Sequence, residues 1–295
     1  MLKTNEAKLV KMAVQGKPAN PIRYAEFEVD AEGRGHSLPS VGGITYNVKC
    51  GDPAFGWRGD HIEPGVSVLI DEEKRTSRQN MALQFLACIG NEATVITGAA
   101  KGAKGTVVGH HGGVEHLIVD FDDRTLDRLT YDDKILVKAH GQGLQIEDSS
   151  DTVVYNLDPR VLKRWGVRSL KGGALEVPVV LSVPSAIMGS GLGHPDPGTG
   201  DYDITTQDPK TVKRLGLDRI RFGDFVAILD ADNTFGRHYY EGAVTIGIVT
   251  HSDSFLSGHG PGVCTLLSSK SGKIRVRHDA DANLAKILKI GRFKR

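Results

Sequence analysis

Hydrophobic and polar positions along this chain alternate in short runs separated by glycine-rich turns. Tyr24-Ala25-Glu26-Phe27-Glu28-Val29 alternates strictly, the pattern of a half-buried strand, and Val66 to Ile70 is a continuous apolar run of strand length. Between Asp71 and Ile89 the period changes. Met81, Phe85 and Ile89 recur at helical spacing, Lys74, Arg75 and Arg78 fall on polar turns, and Gly90-Asn91 supplies a stop. From Ala93 the short-strand pattern returns and predicts strands over 93–97, 105–109, 116–121, 134–139 and 144–146. Short strands so closely spaced predict a small barrel over about 91–147.

The second half carries an internal echo. Asp158-Pro159-Arg160-Val161-Leu162-Lys163-Arg164-Trp165-Gly166 is matched by Asp208-Pro209-Lys210-Thr211-Val212-Lys213-Arg214-Leu215-Gly216. Each copy predicts a short helix with an Asp cap, Pro in the first turn, basic residues at the end and Gly as the stop. Each also leads toward an apolar run, Val177 to Val183 or Phe225 to Leu229. Either the two are related helix–strand units, or two ordinary capped helices coincide in sequence. The expected architecture is α+β and mostly β: an N-terminal β-rich domain over 1–150 holding the barrel, and a larger C-terminal α+β domain of mixed β structure with short helices over 151–295.

The run ATVITGAAKGAKGTVVG, followed by HLIVDF, resembles the SH3-like barrels with a glycine-containing loop found in ribosomal and transcription proteins. That resemblance implies a fold. Lys101 and Lys104 are too few to track a phosphate backbone, and no base-stacking aromatics accompany them, so nucleic-acid binding is not expected. Nor does charge favour it, since 37 basic residues against 36 acidic ones leave a net charge of +1 and no global field toward polyanions. No apolar run reaches the length of a membrane span, and MLKTNEAKLVKMAVQGK lacks the apolar centre of a signal peptide, so a cytoplasmic protein with no membrane partner is expected. Cys50, Cys88 and Cys264 show no CxxC spacing, which excludes a thiolate zinc motif and a disulfide framework. Cys264 reads as a small buried hydrophobe ahead of a nucleophile.

Candidate chemistry concentrates between Arg221 and Ser268. Two strand-like runs there, 225–229 and 243–249, each end in a polar cluster, which is where loops on a rigid sheet carry function. The first delivers Asp230, Asp232, Arg237 and His238. The second delivers His251, Asp253 and Ser254, then the Gly258-His259-Gly260-Pro261-Gly262 turn. His251, Asp253 and His259 stand at HxDx5H spacing and are the expected metal ligands, for zinc or manganese. Asp230, Asp232 and His238 would complete a site that activates water, with Arg237 pairing an anionic substrate group. A metal-free alternative uses His251 or His259 as general base toward Ser254 or Ser257, with glycine backbone N–H groups as oxyanion donors.

Three other stretches offer groups to such a site. His194, Asp196, Asp201 and Asp203 lie in a proline-held loop that either faces the 230–262 cluster or is plain surface. His194, Asp196, Ser254 and Gly260 are the expected substrate contacts. Gly51 to His61 either closes over a small ligand or forms an Ω-loop pinned by its aromatics. His110, His111 and His116 are imidazole donors on a hairpin, where solvated histidines are also common.

The stretch FGDFVAILDADNTFGRHYYEGAVTIGIVTHSDSFLSGHGPGV resembles a bacterial and archaeal family of conserved proteins of unknown function, which implies membership without an activity. Ser252 to Thr265 is also similar to the GDGHxxxGDGEVCGT motif of acetamidase/formamidase enzymes, with the Asp-Gly-Glu of that motif replaced here by His259-Gly260-Pro261-Gly262. This second resemblance implies amide hydrolysis. The expected function is a metal-assisted hydrolase of a small polar molecule such as an amide. The alternative is a non-catalytic protein for small-ligand binding or assembly, and a homo-oligomer is expected in either case.

Overall fold

In the N-terminal half of this computed structural model, which describes residues 2–294, six short strands close into an antiparallel barrel. They are β1 (Met12–Pro18), β4 (Val66–Leu69), β5 (Glu92–Val95), β6 (Lys104–His111), β7 (His116–Asp120) and β8 (Ile135–Ala139), in the order β1-β4-β7-β6-β5-β8 with β8 returning to β1. A separate hairpin of β2 (Glu28–Val29) and β3 (Gly35–His36) stands between β1 and β4. Helix α1 (Arg78–Leu86) follows β4, capped by Ser77, and α2 (Asp123–Leu126) follows β7.

The barrel differs from the sequence expectation in its membership. Residues 144–146 form no strand, only an isolated bridge from Ile146 to Thr4, and β1 and β4 take part instead. The reason lies in the edges. Once β5 to β8 pair, β7 and β8 each retain one row of unpaired N–H and C=O groups, and β4 and β1 cover them.

The C-terminal half begins with β9 (Val153–Val154), α3 (Pro159–Trp165), β10 (Arg168–Ser169), β11 (Leu175–Val179) and β12 (Leu181–Pro184), then β13 (Tyr202–Asp203) and α4 (Pro209–Leu215). It ends with β14 (Phe225–Asp232), β15 (His238–Val249), β16 (Gly262–Ser269), β17 (Ile274–His278) and α5 (Leu284–Leu288). Strands β10, β11 and β17 form a small sheet, while β12-β14-β15-β16-β13 form the larger one, with β9 beside β16. Both echoed segments are helices with the expected ends: Asp158 and Asp208 cap N–H groups, and Gly166 and Gly216 close in the left-handed region at φ of 87° and 70°. Their environments differ, since α3 buries Val161, Leu162 and Trp165 whereas α4 buries nothing.

One core joins the halves. Barrel residues such as Val66, Leu117 and Val137 belong to the same apolar cluster as Phe225, Ile246 and Leu284, and Trp165 stacks on Phe225 with ring centroids 4.0 Å apart. The barrel wall and the large sheet also meet closely. A Cβ at Gly109 on β6 would stand 2.8 Å from the Thr250 side chain, and His110 N–H donates to Cys264 Sγ at 3.2 Å. This contact brings the histidines at the end of β6 beside His251. No helix among the described residues is long and apolar enough to cross a membrane.

Candidate functional site

Four chain segments from both halves converge where β6 meets the large sheet. The loop before β4 brings Asp60, His61 and Glu63; β6 ends in His111; Asp201 and Asp203 flank Tyr202 at β13; and His251 and His259 precede β16. Asp201 and Asp203 are two residues apart along an extended segment, so both carboxylates leave on the same side. His61 adopts φ +50°, a left-handed backbone that a bulky residue takes at a cost, and such strain is retained where the surroundings fix a functional side chain.

Tautomers follow from the hydrogen bonds. His61 Nδ1 lies 2.5 Å from Asp60 Oδ2, and His111 Nδ1 lies 2.7 Å from Glu63 Oε1. His251 Nδ1 lies 2.9 Å from the Ser252 carbonyl, and His259 Nδ1 lies 3.0 Å from that of Ser257. Every one of these partners is an oxygen that accepts only, so each Nδ1 carries the donated proton and each Nε2 is the ring's free ligating nitrogen. That is how histidine ligands are held on metals, with an outer carboxylate or carbonyl fixing the ring.

His61 Nε2 lies 3.5 Å from Asp203 Oδ2, and the four rings bring donor atoms to the two aspartates. His61, Asp203 and His259 bring their donor atoms within 4.8 Å of one another, and so do His111, Asp201 and His251. Fully buried His251 Nε2 stands 2.8 Å from Asp201 Oδ2 and 3.5 Å from Asp203 Oδ1, yet makes no hydrogen bond to either. The imidazoles of His111 and His251 stack with centroids 4.1 Å apart, and His61 is 4.9 Å from His251. A Cβ at Gly262 would fall 1.9 Å from Asp201 Oδ2 and 2.2 Å from His251 Nε2, so only glycine leaves that space open.

The electrostatics express the same grouping. Burial pushes the Glu63 carboxyl up, but His116 and His111 reverse this and hold it well below the usual carboxylate range. Asp201 and Asp203 are likewise held low despite burial, chiefly by His251. Burial disfavours the imidazolium forms of His61 and His251, yet Asp203 and Asp60 push His61 up to about 9, and Asp201 with Asp203 raises His251. Burial and the neighbouring His251 lower His111 instead, so the rings of the cage are pushed in opposite directions.

A cavity of about 360 Å³ opens onto this cage, with His61, His111, Asp201, Asp203 and His259 on its floor and Glu115 and Arg237 on its walls. Tyr24, Glu28 and Ser40 separate it from a larger groove of about 790 Å³ that holds Phe27, Tyr46 and Trp57.

Among the residues singled out from sequence, His251 and His259 enter the cage. Asp253 stands outside both triads and accepts from Thr206 Oγ1, and burial holds its carboxyl above the ordinary range. Ser254 donates to Asp60, which holds His61, at 2.8 Å, and Gly260 N–H donates to Asp203 Oδ2 at 3.2 Å, so both brace the cage from behind. His194 reaches the cavity rim, while Asp196 closes a turn by accepting from Gly198 N–H at 2.8 Å. Arg237 is buried on the cavity wall and donates to the carbonyls of Thr199 and Asp201, fixing the segment that carries Asp201. Asp230 accepts from Gly242 N–H, Asp232 from Thr234 and Ser268, and exposed His238 lies 3.8 Å from Asp232. These three are not brought to the cage. Strands β14 and β15 are antiparallel, with Phe225 opposite Ile248 and Asp232 opposite His238, so the ends of the two runs point away from each other.

Sequence reasoning had no means of ranking His61, His111, Asp201 and Asp203 above their neighbours, and it gave Glu63, one of several polar groups in the 33–65 segment, no role. The one local signal was the Asp-Tyr-Asp alternation at 201–203, which places two carboxylates on one face.

Comparison with known proteins places both halves. Residues 27–163 match the N-terminal domain, and residues 164–288 the C-terminal domain, of DUF4438, a domain of unknown function. The crystal structure of TM1086 is similar, with a TM-score of 0.90 and 43% sequence identity over 96% of this chain and 98% of that one. No curated protein matches the chain, so the likeness to acetamidase/formamidase enzymes rests on the short motif alone. With matches that run through both halves, the chain belongs to the DUF4438 family.

Proposed function

We propose that this protein is a metal-dependent hydrolase of a small polar molecule, with zinc or manganese held by His61, His111, His251, His259, Asp201 and Asp203. One observation carries the reading: all four histidines have Nδ1 bound to an acceptor-only oxygen, and they fall into two triads, each built on a buried aspartate that His61 or His251 faces through Nε2. A divalent ion in such a cage polarises a substrate oxygen and activates water near neutral pH. The chain's own groups do the rest. Asp60 and Glu63 hold the rings, Arg237 fixes the Asp201 segment, and the cavity walls limit the substrate to a small molecule. An amide is the substrate type suggested by the motif at 252–265. A cytoplasmic setting agrees with this chemistry, and Phe235, Tyr239 and Tyr240, exposed beside the β14–β15 turn, favour contact between copies.

The test is elemental analysis of purified, untagged protein beside the His251→Ala/His259→Ala double variant. Near-stoichiometric metal in the first and its loss from a still-folded variant are expected, after which amides and esters are screened for turnover. Metal-free protein in both would overturn the reading. A retained metal with no hydrolysis of any substrate would favour ligand binding instead.

A further inference from the structure

Building on the metal reading above, we propose that the cage is a two-metal centre in which Asp203 is the shared ligand. The donors divide into two sets with no member in common, His61, Asp203 and His259 on one side and His111, Asp201 and His251 on the other. Each set offers three protein ligands, the number found where a metal keeps open positions for water or substrate. Asp203 faces both. Its Oδ2 lies 3.5 Å from His61 Nε2, and its Oδ1 lies 3.5 Å from His251 Nε2, one oxygen toward each set. The 4.9 Å between the His61 and His251 rings makes the two sets contiguous, as in centres whose metals stand about 3.5–4 Å apart.

Charge leads to the same number. Asp60, Glu63, Asp201 and Asp203 are buried carboxylates that touch the ring nitrogens of the cage directly. With neutral imidazoles they carry four negative charges, which one divalent ion only half balances and two balance fully. Leaving buried charge uncompensated is strongly destabilising, and two ions match the four carboxylates where one does not. The orphaned Nε2 of fully buried His251 points into the same space. Both sets also face the 360 Å³ cavity, through His61, Asp203 and His259 for one and His111 and Asp201 for the other. The substrate class that follows is one whose scissile group presents an oxygen to both ions, as carboxamides and phosphate esters do.

Stripping the full-length protein with a chelator and titrating it with Mn²⁺ tests this. Two equivalents bound per chain, with an exchange-coupled electron paramagnetic resonance signal at saturation, are expected. His259→Ala should retain one equivalent and show the six-line spectrum of isolated Mn²⁺. Saturation of wild type at one equivalent, with an uncoupled spectrum, would overturn the two-metal centre and leave the single-metal hydrolase standing. Absence of tight Mn²⁺ and Zn²⁺ binding would overturn both. The coupled spectrum is read on wild type, so misfolding of the variant would not alter the outcome.

Discussion

Glu63 and His111 form a buried pair, with Oε1 2.7 Å from Nδ1, and the same carboxylate stands 3.1 Å from Nδ1 of His116. One acid thus fixes two rings by accepting from both. Glu63→Gln keeps the shape but replaces one acceptor oxygen with an amide donor, which cannot face a donating Nδ1. Metal affinity should fall by roughly 10–100-fold, the usual effect of losing an outer-shell partner. Competition with a fluorescent chelator measures it, and an unchanged affinity would mean that Glu63 does not orient a ligand.

Gly262→Ala should empty the cage. The added methyl would overlap Asp201 Oδ2 and His251 Nε2, neither of which can yield without leaving the cluster. The stabilisation conferred by metal is expected to disappear, while the metal-free variant still melts cooperatively. Comparing melting curves with and without added Zn²⁺ checks this. A full metal complement in the variant would count against the cage.

Metal removal should lower thermal stability reversibly. Binding at a free concentration of 100 Kd stabilises a protein by about 2.7 kcal/mol, which for a chain of this size lowers Tm by roughly 4–5 °C when withdrawn. Chelator followed by re-addition of Zn²⁺ or Mn²⁺ provides the measurement. Equal melting temperatures throughout would argue against a cation joining the two halves.

His238→Ala is expected to change neither metal content nor Tm. The side chain is exposed, and substitutions of that kind usually stay within about 0.5 kcal/mol. Any loss of metal in this variant would mean that the β14–β15 turn reaches the site in a way its geometry does not show.

Away from the cage, burial pushes Asp120 up to about 6. An acid whose pKa is higher in the folded state than the unfolded value of about 3.9 binds its proton more tightly when folded, so its contribution to stability falls as pH rises from about 4 to 6 and is level beyond. Asp120→Asn cannot ionise. Its stability relative to wild type should therefore improve between pH 4 and pH 7, by about 1.4 kcal/mol for each unit of the shift. Urea unfolding at the two pH values reads the difference, and a constant offset would refute the raised pKa.

Much of the architecture was legible in local pattern. The short strands, the Asp and Gly ends of the two echoed helices and the 93–139 part of the barrel are written in nearby residues, because caps and alternation are local rules. His251 and His259 were also legible, since a polar cluster after an apolar strand is a local feature. What escaped was convergence. That Asp232 ends up opposite His238 rather than beside His251 depends on strand direction, and that His61 meets Asp203 depends on how the barrel packs on the large sheet. Neither is encoded within a few residues. The role of Glu63 could not be read for the same reason, because its partners lie 48 and 53 positions away.

The division of ligands between the halves has a consequence for descent. His61 and His111 come with the barrel, whereas Asp201, Asp203, His251 and His259 come with the sheet, and each triad draws on both. Neither half alone retains a complete triad, so a gene that kept only one of them would encode a fold without the cage. Lineages that use this cage must inherit barrel and sheet together, or keep them as two chains that still find one another.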